Sequence, residues 1–193
     1  MFLCTDGRAK TLGMRPVKSY KSLHYQDNNM VQDSWVEHGL EATATWIPAD
    51  KYSGEEPLVQ AYGLCIVKDL VCVIRSPETG TCMLPGGTVE PGEEALDTLR
   101  REVEEEANLS IESPELLGVQ RVEYSDRHPD YAEDVIYQAR YAAEVERADF
   151  VTEDPSEGFT FERSFTPLGE LRDLLGWGEI VDELVRLTKN KVR

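Results

Sequence analysis

The chain has 193 residues, of which 40% are hydrophobic and 30% are charged, and its formal net charge at pH 7 is −17. This length and composition are typical of a globular protein with one domain and extensions. The acidic excess makes general binding to nucleic acid or to anionic membranes unfavourable. No apolar run approaches the roughly 18 residues of a membrane helix, and the N-terminus lacks the apolar core of a secretory signal.

Residues 1–57 are predicted to form an N-terminal arm or extension that is only partly ordered. Residues 1–21 hold five basic side chains and one acid, a net charge of +4, and favour a solvated or dimer-contacting tail over a partner-binding one. Residues 42–47 are typical of a short strand that Pro48 ends. We interpret His38 as a surface histidine because the sequence offers no metal-spaced partner for it.

Residues 58–193 are predicted to form the main domain, which begins with a β-hairpin. Apolar and β-branched residues fill 58–67 and 71–76, with a turn at 68–70 between them and another at 77–80. The four cysteines predict no zinc site, because no pair has C-x2-C spacing. Two of them lie in these apolar runs as small core residues, and a reducing, cytoplasmic setting is favoured.

A tight loop followed directly by a charged helix occupies residues 84–109. The loop is forced by five residues that cannot lie together inside a helix or a strand: Pro85, Gly86, Gly87, Pro91 and Gly92. Residues 94–107 contain no Gly or Pro and consist mostly of good helix formers. The sequence therefore predicts a helix that begins immediately after a glycine-rich turn.

This helix is predicted to bury an apolar stripe and to present three carboxylates beside it. At about 100° per residue, the stripe is formed by Ala95, Leu96, Leu99, Val103 and Ala107. Glu102, Glu105 and Glu106 share one side of the helix, and Glu106 lies at the edge of the stripe. The alternative is an ordinary acidic surface helix, since a charge run is usually a solvated face.

The spacing of the three glutamates favours a site for a divalent cation. Like charges this close repel each other, and a bound divalent cation makes their proximity favourable. Mg²⁺ suits such a site because it prefers carboxylate, phosphate and water oxygens as ligands. A backbone carbonyl of the Gly86-Gly87 turn is a further oxygen ligand. Arg101 can hold a carboxylate or a substrate phosphate through a forked pair of hydrogen bonds.

The remaining sequence predicts further strands and a helical C-terminus. Alternating patterns predict strands at 116–124 and 134–145, and a turn is predicted around Pro114. Three further segments follow the patterns of an acidic loop, a short strand and an interrupted helix: 146–158, 159–165 and 166–189, with the interruption at 176–178. In the polar loop at 125–133 and just before it, Tyr124, His128 and Tyr131 are suited either to base stacking or to loop packing, and packing is favoured.

Residues 87–109 resemble the signature of the Nudix hydrolases, G-x5-E-x7-R-E-U-x-E-E-x-G-U, in which U is a bulky apolar residue. The matching positions hold Gly87, Glu93, Arg101, Glu102, Val103, Glu105, Glu106 and Leu109. One defined position departs from the signature, because Asn108 stands where the family has its last glycine. Asparagine is the next most tolerant residue of the left-handed geometry that ends a helix.

The resemblance implies an α/β/α sandwich with a mixed β-sheet, and hydrolysis of the diphosphate link in a nucleoside diphosphate derivative. It implies a set of ligands for Mg²⁺ or Mn²⁺: Glu102, Glu105, Glu106 and the carbonyl of Gly86. It further implies that Arg101 and Glu93 fix the orientation of these glutamates. The general base is not fixed within the family. Five carboxylates are candidates, the last three being favoured as plain surface residues: Glu102, Glu105, Glu133, Glu157 and Glu162.

Two classes of function are weighed. The favoured one is a Mg²⁺-dependent diphosphohydrolase that acts on a nucleotide-type small molecule, with a homodimer as the oligomeric option. The alternative is a non-catalytic nucleotide-binding or regulatory module of the same fold. The complete set of three glutamates favours the enzyme, because a binding module would not need all three. An isomerase of this fold would need further catalytic residues, which the sequence does not identify.

Overall fold

The structure is a computed structural model that describes residues 30–150 and 158–191. The basic part of the predicted arm and one candidate base, Glu157, lie outside these ranges. The boundary between residues 57 and 58 stays a prediction. Within the described ranges, no helix is long and apolar enough to cross a membrane.

The strands of the described residues form one mixed sheet. Their bounds are β1 Gln32–Glu37, β2 Leu40–Pro48, β3 Leu58–Val67, β4 Leu70–Arg75, β5 Cys82–Met83, β6 Gly86–Thr88, β7 Leu109–Tyr124, β8 Val135–Ala148 and β9 Glu162–Pro167. The strand order is β1-β2-β7-β8-β3-β4-β5, with β6 also paired to β3 and β9 also paired to β4. Only β3 and β8 run parallel; the other pairs of this described sheet are antiparallel. The predicted mixed sheet is thus confirmed.

Helices cover both faces of this sheet. The helix α1, Ala95–Ala107, packs on one face, and α2, Leu171–Leu175, and α3, Glu179–Lys191, pack on the other. The alternation of side chains along β3 sends Ala61 and Cys65 into the core under α1, and Leu64 into the core under the C-terminal helices. The predicted sandwich follows from this two-sided burial.

The structure corrects the turn that was predicted around Pro114. The strand β7 continues through this region, and its pairing with β8 shifts register between Glu112 and Glu115. Ser113 takes a positive φ of 47° within the shift. Proline removes one backbone donor, and a β-bulge accommodates that loss without ending the strand. The strand β8 likewise extends to Ala148, beyond its predicted end at 145.

Asp33 ties the first hairpin to α3. Its carboxylate accepts hydrogen bonds from the backbone N–H groups of Glu179 at 2.7 Å and Ile180 at 3.1 Å. Burial raises the pKa of Asp33, while these two backbone hydrogen bonds lower it. A Cβ atom on Gly178 would lie 2.0 Å from Oδ1 of Asp33, so this close approach requires glycine there. The contact fixes the start of α3 above the sheet.

Candidate metal centre

The helix α1 ends at a left-handed residue. Asn108 has φ 49° and ψ 47°, and its N–H donates to the carbonyl of Glu104 at 2.9 Å. Arg163 of β9 donates to the carbonyls of Ala107 and Asn108 at the end of the helix. Asn108 therefore ends the helix in the left-handed geometry that the sequence predicts for this position.

The three glutamates of α1 converge on the glycine-rich loop. Glu106 is buried at 7% exposure, and its Oε2 accepts the N–H of Gly86 at 2.8 Å. The side chains of Glu102 and Glu105 are 14% and 28% exposed. The structure thus places Glu106 at the buried edge of the cluster, as the helical wheel predicts, and leaves the other two carboxylates open to solvent on one side.

The loop approaches the cluster so closely that two positions require glycine. Gly86 has φ +142°, and a Cβ there would lie 2.2 Å from the carbonyl oxygen of Ala61. A Cβ on Gly87 would lie 2.5 Å from Oε1 of Glu102. Glycine is therefore required at position 86 by the backbone conformation and the close approach to β3, and at position 87 by the nearby carboxylate of Glu102.

Arg101 joins the glutamates to the start of the helix. Its Nε and Nη2 donate to the two carboxylate oxygens of Glu93 at 2.8 and 3.1 Å, a forked pair. Its Nη1 donates to Glu102 at 2.9 Å and to Glu105 at 3.0 Å. The Arg101 guanidinium therefore binds Glu102 and Glu105 of the cluster, and Glu93, which lies outside the cluster, fixes the guanidinium in place.

Thr98 completes this network and is not among the site residues predicted from the sequence. Its hydroxyl, fully buried, donates to Oε2 of Glu93 at 2.7 Å. On the helical wheel Thr98 falls at about 300° when Ala95 is at zero, on the same side as Glu102 and Glu105. That shared direction is the signal by which the sequence could have found it.

The hydrogen bonds from Arg101, and then that from Thr98, lower the pKa of Glu93 to about 2. An unfolded glutamate has a pKa of about 4.3, so the folded state stabilises the charged form. This stabilisation is complete above the unfolded value and is lost as the pH falls through about 2.

We therefore expect the replacement Glu93→Gln to destabilise the protein most above about pH 5, and progressively less towards pH 2. Urea unfolding at a series of pH values measures the difference in unfolding free energy between wild type and variant. The matched control is Glu90→Gln, an exposed residue of the same loop. A Glu93→Gln difference that stays constant down to pH 2 would contradict the role of this ion pair.

His38 has a neighbour in space that its sequence spacing does not reveal. The donor atoms of His38, His128 and Asp130 lie within 4.8 Å of one another. However, Nδ1 of His128 already accepts the backbone N–H of Asp130 at 3.1 Å, so its lone pair is occupied. The ring of His128 lies 4.5 Å from that of Tyr124 and 4.7 Å from that of Tyr131. The predicted loop packing of these aromatic residues is confirmed.

Two of the candidate bases outside α1 lie on the surface. Glu133 is exposed in the loop before β8, and Glu162 is exposed at the start of β9. Within residues 30–150 and 158–191, hydrogen bonds link the glutamate cluster to Arg101 and Gly86. The surface interpretation of Glu133 and Glu162 is retained.

A family model described as the NUDIX domain matches residues 57–186 of the chain. The chain belongs to the Nudix family. The match covers the sheet from β3 onwards together with α1, α2 and most of α3. The resemblance carried by the 87–109 signature is thereby confirmed.

Two solved Nudix structures share the fold. The pyrophosphohydrolase BsRppH of Bacillus subtilis superposes with a TM-score of 0.57 at 21% identity, covering 78% of this chain and 90% of that one. A NUDIX hydrolase from Nitrosomonas europaea gives a TM-score of 0.51 at 17% identity, with 72% and 92% covered. At these identities the likeness shows the Nudix fold.

One sequence relative is YvcI, an uncharacterised Nudix hydrolase of Bacillus subtilis. It is 37% identical over 57 residues, which are 28% of this chain and 36% of the relative. The match thus spans little more than a third of that protein's length. It agrees with the Nudix assignment.

Proposed function

We propose that this protein hydrolyses the diphosphate linkage of a nucleoside diphosphate derivative, using Mg²⁺ or Mn²⁺ held by Glu102, Glu105 and Glu106. The observation that carries the proposal is the cluster of these three carboxylates: Glu106 accepts the N–H of Gly86, Glu102 lies against Gly87, and Glu105 shares Nη1 of Arg101 with Glu102. Like charges at this spacing are unfavourable without a cation. Family membership and the structural likeness to the pyrophosphohydrolase BsRppH support the reaction class.

The donor set fits a hard divalent cation. It consists of carboxylate oxygens on adjacent turns of one helix, and the Gly86 carbonyl is proposed as a fourth ligand. Arg101 already offsets part of the negative charge through Glu102 and Glu105, so the residues remain together before a cation arrives. The cation, when bound, neutralises charge that develops on phosphoryl oxygens and lowers the pKa of a water molecule.

The exposure of the three glutamates indicates different roles within the cluster. Glu106 is held in place by the N–H of Gly86 and is buried, which suits a fixed ligand. Glu102 and Glu105 are more exposed and are therefore the better candidates for the general base that accepts the water proton. The pair Arg101 and Glu93 orients both of them, a role whose loss typically costs about 10- to 100-fold in activity.

The proposal includes the predicted partners, cellular location and oligomeric state of the protein. A small nucleotide-type molecule is the proposed partner, because a diphosphate is what a carboxylate-bound cation recognises. The net charge of −17 disfavours nucleic acid and anionic membranes as partners. A cytoplasmic location and a homodimer remain predictions from composition.

A substrate panel tests the proposal. It contains nucleoside triphosphates, oxidised nucleotides, ADP-ribose, sugar nucleotides and dinucleoside polyphosphates, each incubated with Mg²⁺, with Mn²⁺, or with EDTA. We expect cleavage at a diphosphate link of at least one member, and only when the cation is present. Binding of panel members without turnover under either cation would overturn the proposal in favour of the non-catalytic module.

A further inference from the structure

Arg140, on β8, is a buried cation with unused hydrogen-bond donors. It is 3% exposed, and in the described ranges it forms no ion pair with a carboxylate. Its Nη1 donates to the carbonyl of Ala139 at 3.1 Å, and its Nη2 donates to Oε1 of Gln138 at 2.8 Å. Its Nε has no partner. A guanidinium has five N–H groups, so most of its donors are unused.

Aromatic rings compensate only part of this buried charge. The guanidinium carbon lies 4.5 Å from the ring centre of Tyr62 and 5.7 Å from that of Trp177. Such contacts are favourable but weaker than an ion pair with hydrogen bonds. Burial lowers the pKa of Arg140 to about 10, so the side chain stays charged at neutral pH. A buried charge without a counter-ion is unfavourable, and an anionic ligand would remove that cost.

Arg140 is in register with the glycine-rich loop. It pairs with Tyr62 on the parallel neighbour β3, and Tyr62 pairs with Gly86 on β6. Neighbouring strands lie about 4.8 Å apart, so the backbones of Arg140 and Gly86 are about 10 Å apart. Gly86 is the residue whose N–H holds Glu106.

Tyr62 lies between Arg140 and the glycine-rich loop. A Cβ on Gly86 would be 2.9 Å from Cδ1 of Tyr62, so the tyrosine ring packs directly on the loop. Tyr62 thus contacts both the guanidinium of Arg140 and the glycine-rich loop.

The side chains around Arg140 include an oriented amide and several half-buried residues. Nε2 of Gln138 donates to Oε1 of Gln60 at 2.6 Å, which orients the amide oxygen towards Arg140. Tyr62, Gln138 and Trp177 are each only half-buried. Trp177 lies between two glycines in the short link from α2 to α3. A ligand therefore reaches the guanidinium by displacing Tyr62 or Trp177, which pack at the margin of the core under the C-terminal helices.

We propose that Arg140 binds a phosphate group of the substrate other than the diphosphate that is cleaved. The substrate is then a nucleotide derivative with an additional phosphate, either on a ribose or at the far end of a polyphosphate chain. The placement of the cleaved diphosphate at the glutamates rests on the proposed function. The anion site itself rests only on the surroundings of Arg140.

The anion site is tested first without metal, where the glutamate cluster repels phosphate. In EDTA, inorganic phosphate is titrated against wild type, Arg140→Gln and Arg121→Gln, and the melting temperature is recorded. Arg121 lies on the adjacent β7 and pairs with Glu123 at 2.8 Å, which makes it a matched control. We expect a saturable rise for wild type and Arg121→Gln, and only the gradual rise of an excluded salt for Arg140→Gln. Equal responses in all three proteins, or no saturable rise in wild type, would overturn the proposal.

The substrate class is tested next with a matched pair of nucleotides, ADP-ribose and its 2′-phosphate. For wild type with Mg²⁺ we expect a kcat/KM at least about 10-fold higher for the phosphorylated member, mainly through KM. Arg140→Gln should bring this ratio close to one, and Arg140→Lys should keep part of it because the charge remains. A ratio unaffected by Arg140→Gln overturns the phosphate assignment, and so does a ratio of one in wild type. Absence of turnover would overturn the proposed function, and the titration in EDTA would still decide the anion site.

Discussion

The replacement Glu106→Gln is expected to lower cation-dependent turnover by about 100-fold or more while the protein stays folded. The amide oxygen of glutamine still accepts the N–H of Gly86, which lies 2.8 Å from Oε2 of Glu106. The substitution therefore removes a negative charge and little else. Initial rates on the best member of the substrate panel measure the effect, and thermal unfolding verifies the fold.

The matched control for this prediction is Glu104→Gln. Glu104 is exposed on the same helix, and its side chain takes no part in the glutamate cluster. We expect wild-type turnover from this control and a change in unfolding free energy of less than about 0.5 kcal/mol. Wild-type turnover in Glu106→Gln as well would contradict the assignment of Glu106 as a ligand.

Replacing each of the two loop glycines by alanine is expected to have different effects: Gly86→Ala lowers stability, and Gly87→Ala lowers turnover. Gly86→Ala combines a positive φ with a Cβ 2.2 Å from the backbone oxygen of Ala61, so the sheet itself must shift. We expect a loss of about 3 kcal/mol or more in unfolding free energy. Gly87→Ala instead meets the carboxylate of Glu102 at 2.5 Å, and a flexible side chain can move away.

For Gly87→Ala we therefore expect at least about a 10-fold loss of turnover with a small loss of stability. Urea unfolding and initial rates, measured on the same preparations, separate the two effects. Gly169→Ala is the control, since a Cβ there has no atom within 4 Å and φ is not positive. Gly87→Ala with wild-type turnover would show that the position of Glu102 does not matter for the reaction.

The parts of the candidate site that lie within one helix can be predicted from the sequence. The 3.6-residue period alone places Glu106 beside the apolar stripe and predicts the shared side of Glu102 and Glu105. The end of α1 at Asn108 follows from backbone preference, which is also local. Thr98 was missed although the same wheel points to it.

The proposed anion site around Arg140 depends on strand pairing and could not be predicted from the sequence. Arg140, Tyr62 and Gly86 lie far apart in the chain and meet only because β3 pairs with both β8 and β6. The parallel pairing of β3 with β8 has no signature in either strand alone. The bulge near Pro114 was read as a turn, because a proline within a strand pattern usually marks an end.

The measurement that tests the central claim most directly is Mn²⁺ binding to wild type and to Glu105→Gln, followed by the electron paramagnetic resonance signal of the free ion. Glu105 is the most exposed of the three glutamates, at 28% of its side chain, so its replacement leaves the core unchanged. The account predicts that wild type binds Mn²⁺ and that Glu105→Gln binds it at least about 10-fold more weakly and loses cation-dependent turnover. Equal Mn²⁺ affinity and full turnover in the variant would contradict the assignment of the glutamate cluster as the metal centre.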